Sequence, residues 1–199
     1  MNKSHYQQAQ FLLSVATVSQ LPTDEGVEIA IIGRSNAGKS SVLNQLTQNK
    51  KLARVSKTPG RTQLINLFAL DEQRRLADLP GYGYAKVPPA MKQRWQALID
   101  TYLRDRECLK GLILVMDIRH PLKAFDQAML KWSSQCNLAV HILLNKADKL
   151  TQSAAYKTLR ETTTAVSHYA NPITIQTFSA LKGKGVKELR EQLDAWFCY

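Results

Sequence analysis

The 199-residue chain carries no acidic residue between Glu28 and Asp71, and cysteine occurs three times, as Cys108, Cys136 and Cys198. No two cysteines form a C-x-x-C pair, which excludes a disulfide framework and a cysteine-based zinc site and suits a reducing cytosol. Long apolar runs are missing too. The longest clean one, Leu112 to Met116, is far too short to cross a bilayer, so no membrane insertion is expected. Phe11 to Val18 is mildly apolar, but it reads as a short element packing on the domain rather than as a signal peptide. What these absences leave is a globular protein expected in the cytoplasm; it is expected to be a monomer. Its length and its 44% hydrophobic content suit one well-cored domain.

The charge that is present is one-sided. The net charge is +11, and the acid-free stretch holds Arg34, Lys39, Lys50, Lys51, Arg54, Lys57 and Arg61. A phosphate ligand accounts for two or three of these; the others point to a polyanionic partner, nucleic acid before a merely solvated face.

Within that stretch lies Gly33-Arg34-Ser35-Asn36-Ala37-Gly38-Lys39-Ser40, directly after the apolar run Val27 to Ile32 and before Ser41-Val42-Leu43. This is G-x-x-x-x-G-K-S between a strand and a helix, the context in which backbone N–H groups turn inward onto a phosphate. Lys39 supplies a charge for the outer phosphates, and the Ser40 hydroxyl can ligate Mg²⁺.

Periodicity predicts strands over 27–32, 64–70, 74–79, 111–117, 138–144 and 173–178, and helices over 39–48, 89–106, 123–135, 152–169 and 185–197. The pair 64–70 and 74–79 is joined by Asp71-Glu72-Gln73, short enough for a hairpin, so one strand runs antiparallel to the others. The other connections each hold a helix, as parallel strands require. The expected fold is α/β, doubly wound, with ligands at the carboxyl ends of the strands.

Three further motifs fall at such ends. Asp78-Leu79-Pro80-Gly81 offers a carboxylate for Mg²⁺ and a glycine N–H for a terminal phosphate. Asn145-Lys146-Ala147-Asp148 offers one carboxylate that accepts from both guanine N1–H and its exocyclic amine, a donor pair adenine lacks. The Lys146 stem can cover the base while Asn145 ties the loop to the phosphate loop. Ser179-Ala180 follows the last strand; the Ala180 N–H can donate to guanine O6, and Ser179 can orient the loop holding Asp148. The ligand so read is GTP or GDP with Mg²⁺.

The combination of 33–41, Lys57-Thr58-Pro59-Gly60-Arg61-Thr62-Gln63, Asp78 to Ala85, Asp117-Ile118-Arg119-His120-Pro121 and 145–148 resembles the EngB family, also called YihA or YsxC. These are bacterial ribosome-biogenesis GTPases of the TrmE–Era–EngA–EngB group. The resemblance implies a three-layer P-loop GTPase (Ras-like) fold with a six-stranded, mostly parallel sheet. It implies an N-terminal extension over 1–24 and a G domain over 25–199. It extends the nucleotide contacts to Ser41, Gly60, Arg61, Gln63, Leu64 and Phe178, and it implies a role in large ribosomal subunit assembly with a link to cell division and septation. The basic residues Lys50, Lys51, Arg54 and Lys57 would then face rRNA and ribosomal proteins. An adaptor that binds only protein partners in its GTP state is the alternative.

Spacing alone leaves Thr58 and Thr62 open as the switch ligand to Mg²⁺; the family pattern P-G-x-T points to Thr62. After Gly81, where Ras-like proteins carry a water-orienting glutamine, this chain has Tyr82, so intrinsic hydrolysis is expected to be slow. Tyr82 and Tyr84 suit packing on the next helix as well as partner contact. Asn36 resembles the residue that helps hold K⁺ beside the phosphates in related GTPases, where it offsets transition-state charge. Lys39, Thr62, Gly81 and Asn36 form the expected catalytic set. Asp117 and Arg119 are read as a structural ion pair.

Overall fold

The computed structural model describes residues 5–53, 64–81 and 89–199, the side chains of 89–92, 94 and 95 excepted. In chain order the elements are β1 (Gln10–Val15), β2 (Val27–Gly33), α1 (Lys39–Thr47), β3 (Ile65–Ala69), β4 (Arg74–Asp78), α2 (Pro89–Asp105) and β5 (Leu109–Asp117). They continue with α3 (Ala124–Gln135), β6 (Ala139–Asn145), α4 (Gln152–Val166), β7 (Ile173–Thr177) and α5 (Val186–Phe197).

The strands form one sheet in the order β1-β3-β4-β2-β5-β6-β7. Strand β3 runs antiparallel to both of its neighbours, and the pairings β2–β4, β2–β5, β5–β6 and β6–β7 are parallel. The described sheet thus has seven strands rather than six. The extra one overlaps Phe11 to Val18, read as a short packing element: Gln10–Val15 adds an edge strand against β3. Its alternation was hard to read because only Val15 is fully buried, while Phe11 and Leu12 face outward.

Alternation along the central strands builds the two outer layers. Ile29 and Ile31 of β2 with Ile113 and Val115 of β5 pack under α1 and α5, through Val42, Leu43, Leu46, Leu189, Leu193 and Phe197. Ala30, Ile32, Leu112, Leu114 and Met116 face the other way and pack on α2, α3 and α4. Each of these side chains except Ala30 contributes about 1.5–3 kcal/mol by leaving water.

One residue in the central strand breaks the apolar pattern. Glu28 is fully buried and accepts from the Tyr102 hydroxyl at 2.6 Å, Arg75 Nε at 3.1 Å and Arg106 Nη2 at 3.2 Å. The arginines reach on to the carbonyls of Pro22 and Glu25, at 2.8 and 2.5 Å. This network pins the segment before β2 and the carboxyl end of α2 to the sheet, at the end opposite the phosphate loop. A cavity of about 340 Å³ beside Thr23, Glu25 and Gln73 opens at that same far end.

Candidate functional site

Strand β2 delivers the phosphate loop to the carboxyl edge of the sheet. Gly33, its last residue, lies against β5, where a Cβ would come within 2.5 Å of the Val115 carbonyl oxygen. The loop then turns through left-handed backbone at Asn36 (φ 65) and Gly38 (φ 97). A Cβ on Gly38 would also collide with Asn145 Nδ2, so only glycine fits. Helix α1 starts immediately afterwards, with no side chain capping its first turn. Its amide dipoles are thereby left to an anion.

The neighbouring strand β4 ends on Asp78, which sits in register with Ile31 of β2. Asp78 is 6% exposed and forms an ion pair with the Lys39 ammonium. The phosphate-binding cation and the candidate metal carboxylate therefore share one spot. Leu79 N–H donates to the Ile31 carbonyl at 3.0 Å, which fixes the path of Leu79-Pro80-Gly81 along the phosphate loop. A cradle that excludes Cβ atoms, an uncapped helix start and two hard oxygen donors (Ser40 and Asp78) fit a phosphate with Mg²⁺.

The base-binding side is held by a second set of bonds. Asn145 closes β6, donates from Nδ2 to the Ala37 carbonyl at 2.8 Å, and accepts at Oδ1 from the Ala180 N–H at 3.2 Å. It joins the phosphate loop to the loop after β7. The Ala180 amide, expected to face guanine O6, is thus shared with Asn145. Asp148 accepts from the Ser179 hydroxyl at 2.5 Å through Oδ1, and Ser179 Oγ in turn accepts from Lys182 N–H at 3.2 Å. Ala147 N–H donates to the Phe178 carbonyl at 3.0 Å, locking the two loops together.

Lys146 adopts φ 66 and stretches across the gap, its ammonium 2.5 Å from the Asn36 carbonyl and 3.0 Å from the Asp117 carboxylate. Asp117 also pairs with Arg119 at 2.6 Å. The Arg119 guanidinium first, and the Lys146 ammonium after it, hold the Asp117 carboxyl well below the usual carboxylate range. The ion pair read from the sequence is therefore part of a three-membered cluster that anchors the base loop.

Residues 33–41, 78–81, 145–148 and 178–180 all gather at this one edge, and Leu64 lies just before β3. Gly60, Arg61, Thr62 and Gln63, with Thr58, Arg54, Lys57, Tyr82 and Tyr84, lie outside the described residues. Reading the sequence missed Asn44. Its side chain accepts from Ala53 N–H at 2.8 Å and donates to the carbonyls of Lys50 and Ala53, at 3.2 and 3.0 Å. It clamps the basic loop to α1. The available signal was a polar residue inside the apolar stripe Val42-Leu43-Asn44-Gln45-Leu46.

Comparison with known proteins agrees with this geometry. The family described as 50S ribosome-binding GTPase matches residues 28–146. A probable GTP-binding protein EngB from Coxiella burnetii is 57% identical over 192 residues, covering 96% of this chain and 94% of that one. The Vibrio parahaemolyticus protein of the same description is 53% identical, covering 98% and 89%. A crystal structure of a probable GTP-binding protein EngB superposes with a TM-score of 0.70 at 20% identity, over 86% of this chain and 98% of that one. Aquifex aeolicus Era bound to GDP·AlF4⁻ superposes with a TM-score of 0.68 at 20% identity, over 86% and 57%. These two likenesses concern the fold. Family match, identity and motif geometry lead to one conclusion: the chain belongs to the EngB family of GTP-binding proteins and is a P-loop GTPase.

Proposed function

We propose that this GTPase is a nucleotide-gated switch that acts on the large ribosomal subunit or its precursor in the cytoplasm, and that normal cell division and septation depend on it. The observation that carries this reading is the basic loop itself. Lys50 and Lys51 are exposed, free of acidic neighbours in sequence, and held by Asn44 directly behind the helix that starts at the phosphates. A basic surface so placed suits rRNA phosphates, and the family's description names 50S binding. Arg54 and Lys57 would extend it.

In this reading Ser40, Asp78 and Thr62 would hold Mg²⁺, which would neutralise phosphate charge when bound. The chain's own contribution is positional. Lys39 and the first-turn amides of α1 hold the phosphates, and the Gly81 N–H is offered to the outermost one. Asp148 selects guanine. Position 82 carries tyrosine in place of a water-orienting amide, so turnover without a partner is slow. Asn36 is exposed at the turn of the phosphate loop, where a K⁺ ion would offset developing charge. Equal GTP turnover in Na⁺ and K⁺ contradicts that part.

The test is co-sedimentation with large ribosomal subunits, in GDP or in a non-hydrolysable GTP analogue, at rising salt. Nucleotide-dependent binding that weakens steeply with salt is expected. Association indifferent to both would favour an adaptor that binds only protein.

A further inference from the structure

Residues 162–187 form a second stretch without an acidic residue, and it folds against the first one. Phe178 packs in the same core as Val42, Leu43 and Leu46 of α1. Gln45 Nε2 lies beside Gly183, where a Cβ would stand 3.0 Å from it. Arg190 Nη2 donates to the Leu46 carbonyl at 2.9 Å, so α5 holds the carboxyl end of α1. Lys50 and Lys51 follow within one turn of that end.

The loop between β7 and α5 is closed by one backbone bond and one side-chain bond from β7. Ser179 N–H donates to the Lys184 carbonyl at 3.0 Å, and Gln176 Nε2 donates to the Gly185 carbonyl at 2.8 Å. Lys182 and Lys184 stand exposed on this rigid loop, and neither forms a salt bridge to another described residue. Lys187 differs: it pairs with Glu191 at 3.7 Å. The loop that carries Lys182 and Lys184 therefore meets α1 at Gln45, on the helix whose carboxyl end leads to Lys50 and Lys51. Exposed lysines on two neighbouring loops, with no salt bridge from Lys182 or Lys184 among the described residues, suit a nucleic-acid backbone better than an acidic protein face.

We propose that RNA phosphates are gripped along the α1–α5 face, by Lys182 and Lys184 of the guanine loop together with Lys50 and Lys51. This rests on the ribosomal reading above and extends its RNA contact to a surface contiguous with the base-binding loop. The two added lysines carry backbone positions that support Ser179, so their side chains can be changed while the loop's hydrogen bonds persist.

The experiment measures binding of a labelled RNA duplex to the full chain bound to the GTP analogue, across rising salt. The variants are Lys182→Ala with Lys184→Ala, and Lys50→Ala with Lys51→Ala. Losing two phosphate contacts makes the slope of log K against log salt shallower by about 1.4–1.8, roughly a tenfold smaller loss of affinity between 50 and 200 mM salt. GDP affinity equal to that of the parent shows that the loop has folded. If the alanine pair loses GDP, Lys182→Gln with Lys184→Gln gives the same reading with a longer stem. An unchanged slope in the loop variant, with a shallower one after changing Lys50 and Lys51, overturns the extension and leaves the ribosomal reading standing. No RNA binding by the parent, or no change in either pair, overturns both.

Discussion

Asn145 reaches back 108 positions in sequence to donate to the Ala37 carbonyl at 2.8 Å, while its oxygen receives the Ala180 amide. One buried side chain thus joins the phosphate loop to the two loops proposed to hold the base. Asn145→Ala leaves a buried carbonyl and an amide without partners, at a cost of about 1–3 kcal/mol. GDP affinity should fall by more than tenfold while the fold survives, as read by isothermal titration and circular dichroism. Unchanged affinity contradicts the linking role.

Gly38 has two reasons to be glycine: φ 97 and the close approach of Asn145 Nδ2. Gly38→Ala should abolish nucleotide binding, because the displaced Asn145 also holds Ala180. A variant that binds GDP within threefold of the parent would show that the loop has room.

At the far end of the sheet, Glu28 is buried between Arg75, Arg106 and Tyr102. Glu28→Ala strands two guanidinium groups and should destabilise the protein by about 3–5 kcal/mol in urea unfolding. Tyr102→Phe should cost about 1–2 kcal/mol. Neither site borders the nucleotide, so GDP affinity of the folded Tyr102→Phe variant should match the parent.

The same network carries an acid-sensitive carboxylate. Burial works to raise the Asp24 value, but hydrogen bonds from Cys108 and Glu107, with Arg106 nearby, overcome it and hold Asp24 at about 2. A folded value below the unfolded one, about 3.9, means a contribution complete above pH ~4 and lost as pH falls toward 2. Asp24→Asn should therefore be less stable than the parent at neutral pH, with the gap closing between pH ~4 and 2. A gap that stays constant across this window rules the linkage out.

Burial, with an Asp24 hydrogen bond, pushes the Cys108 thiol up to about 12, whereas Cys136 and Cys198 are exposed. A disulfide reagent at mild pH should modify two thiols quickly and the third only after unfolding. Three fast thiols would mean that the Glu28 region opens.

Much of this architecture was legible in the sequence, for identifiable reasons. Val27–Gly33 and Leu109–Asp117 are central strands buried on both faces, so they read as apolar runs. The four nucleotide motifs need particular residue types at fixed points, and each falls at a strand end. Edge strand β1 was not legible, because its pairing with β3 is mainly backbone and two of its large side chains face outward. The ties from Asn44, Lys146 and Glu28 escaped as well. Lys146 and Glu28 join positions far apart in sequence, and no local pattern announces a partner on another element; Asn44 reaches only to Lys50 and Ala53, and its one signal was a polar residue inside an apolar stripe.

The central claim is that Asp148, set by Ser179, reads guanine through its amine and N1–H. The most direct measurement is titration of GDP and xanthosine diphosphate into the parent and into Asp148→Asn. Replacing the carboxylate by an amide removes two charge-assisted acceptors, worth about 1.5–3 kcal/mol each, so GDP affinity should fall by about 10²–10⁴. The amide can donate to the xanthine oxygen that stands where guanine carries its amine, so the preference should invert toward the xanthosine nucleotide. A variant that still prefers GDP would contradict the assignment.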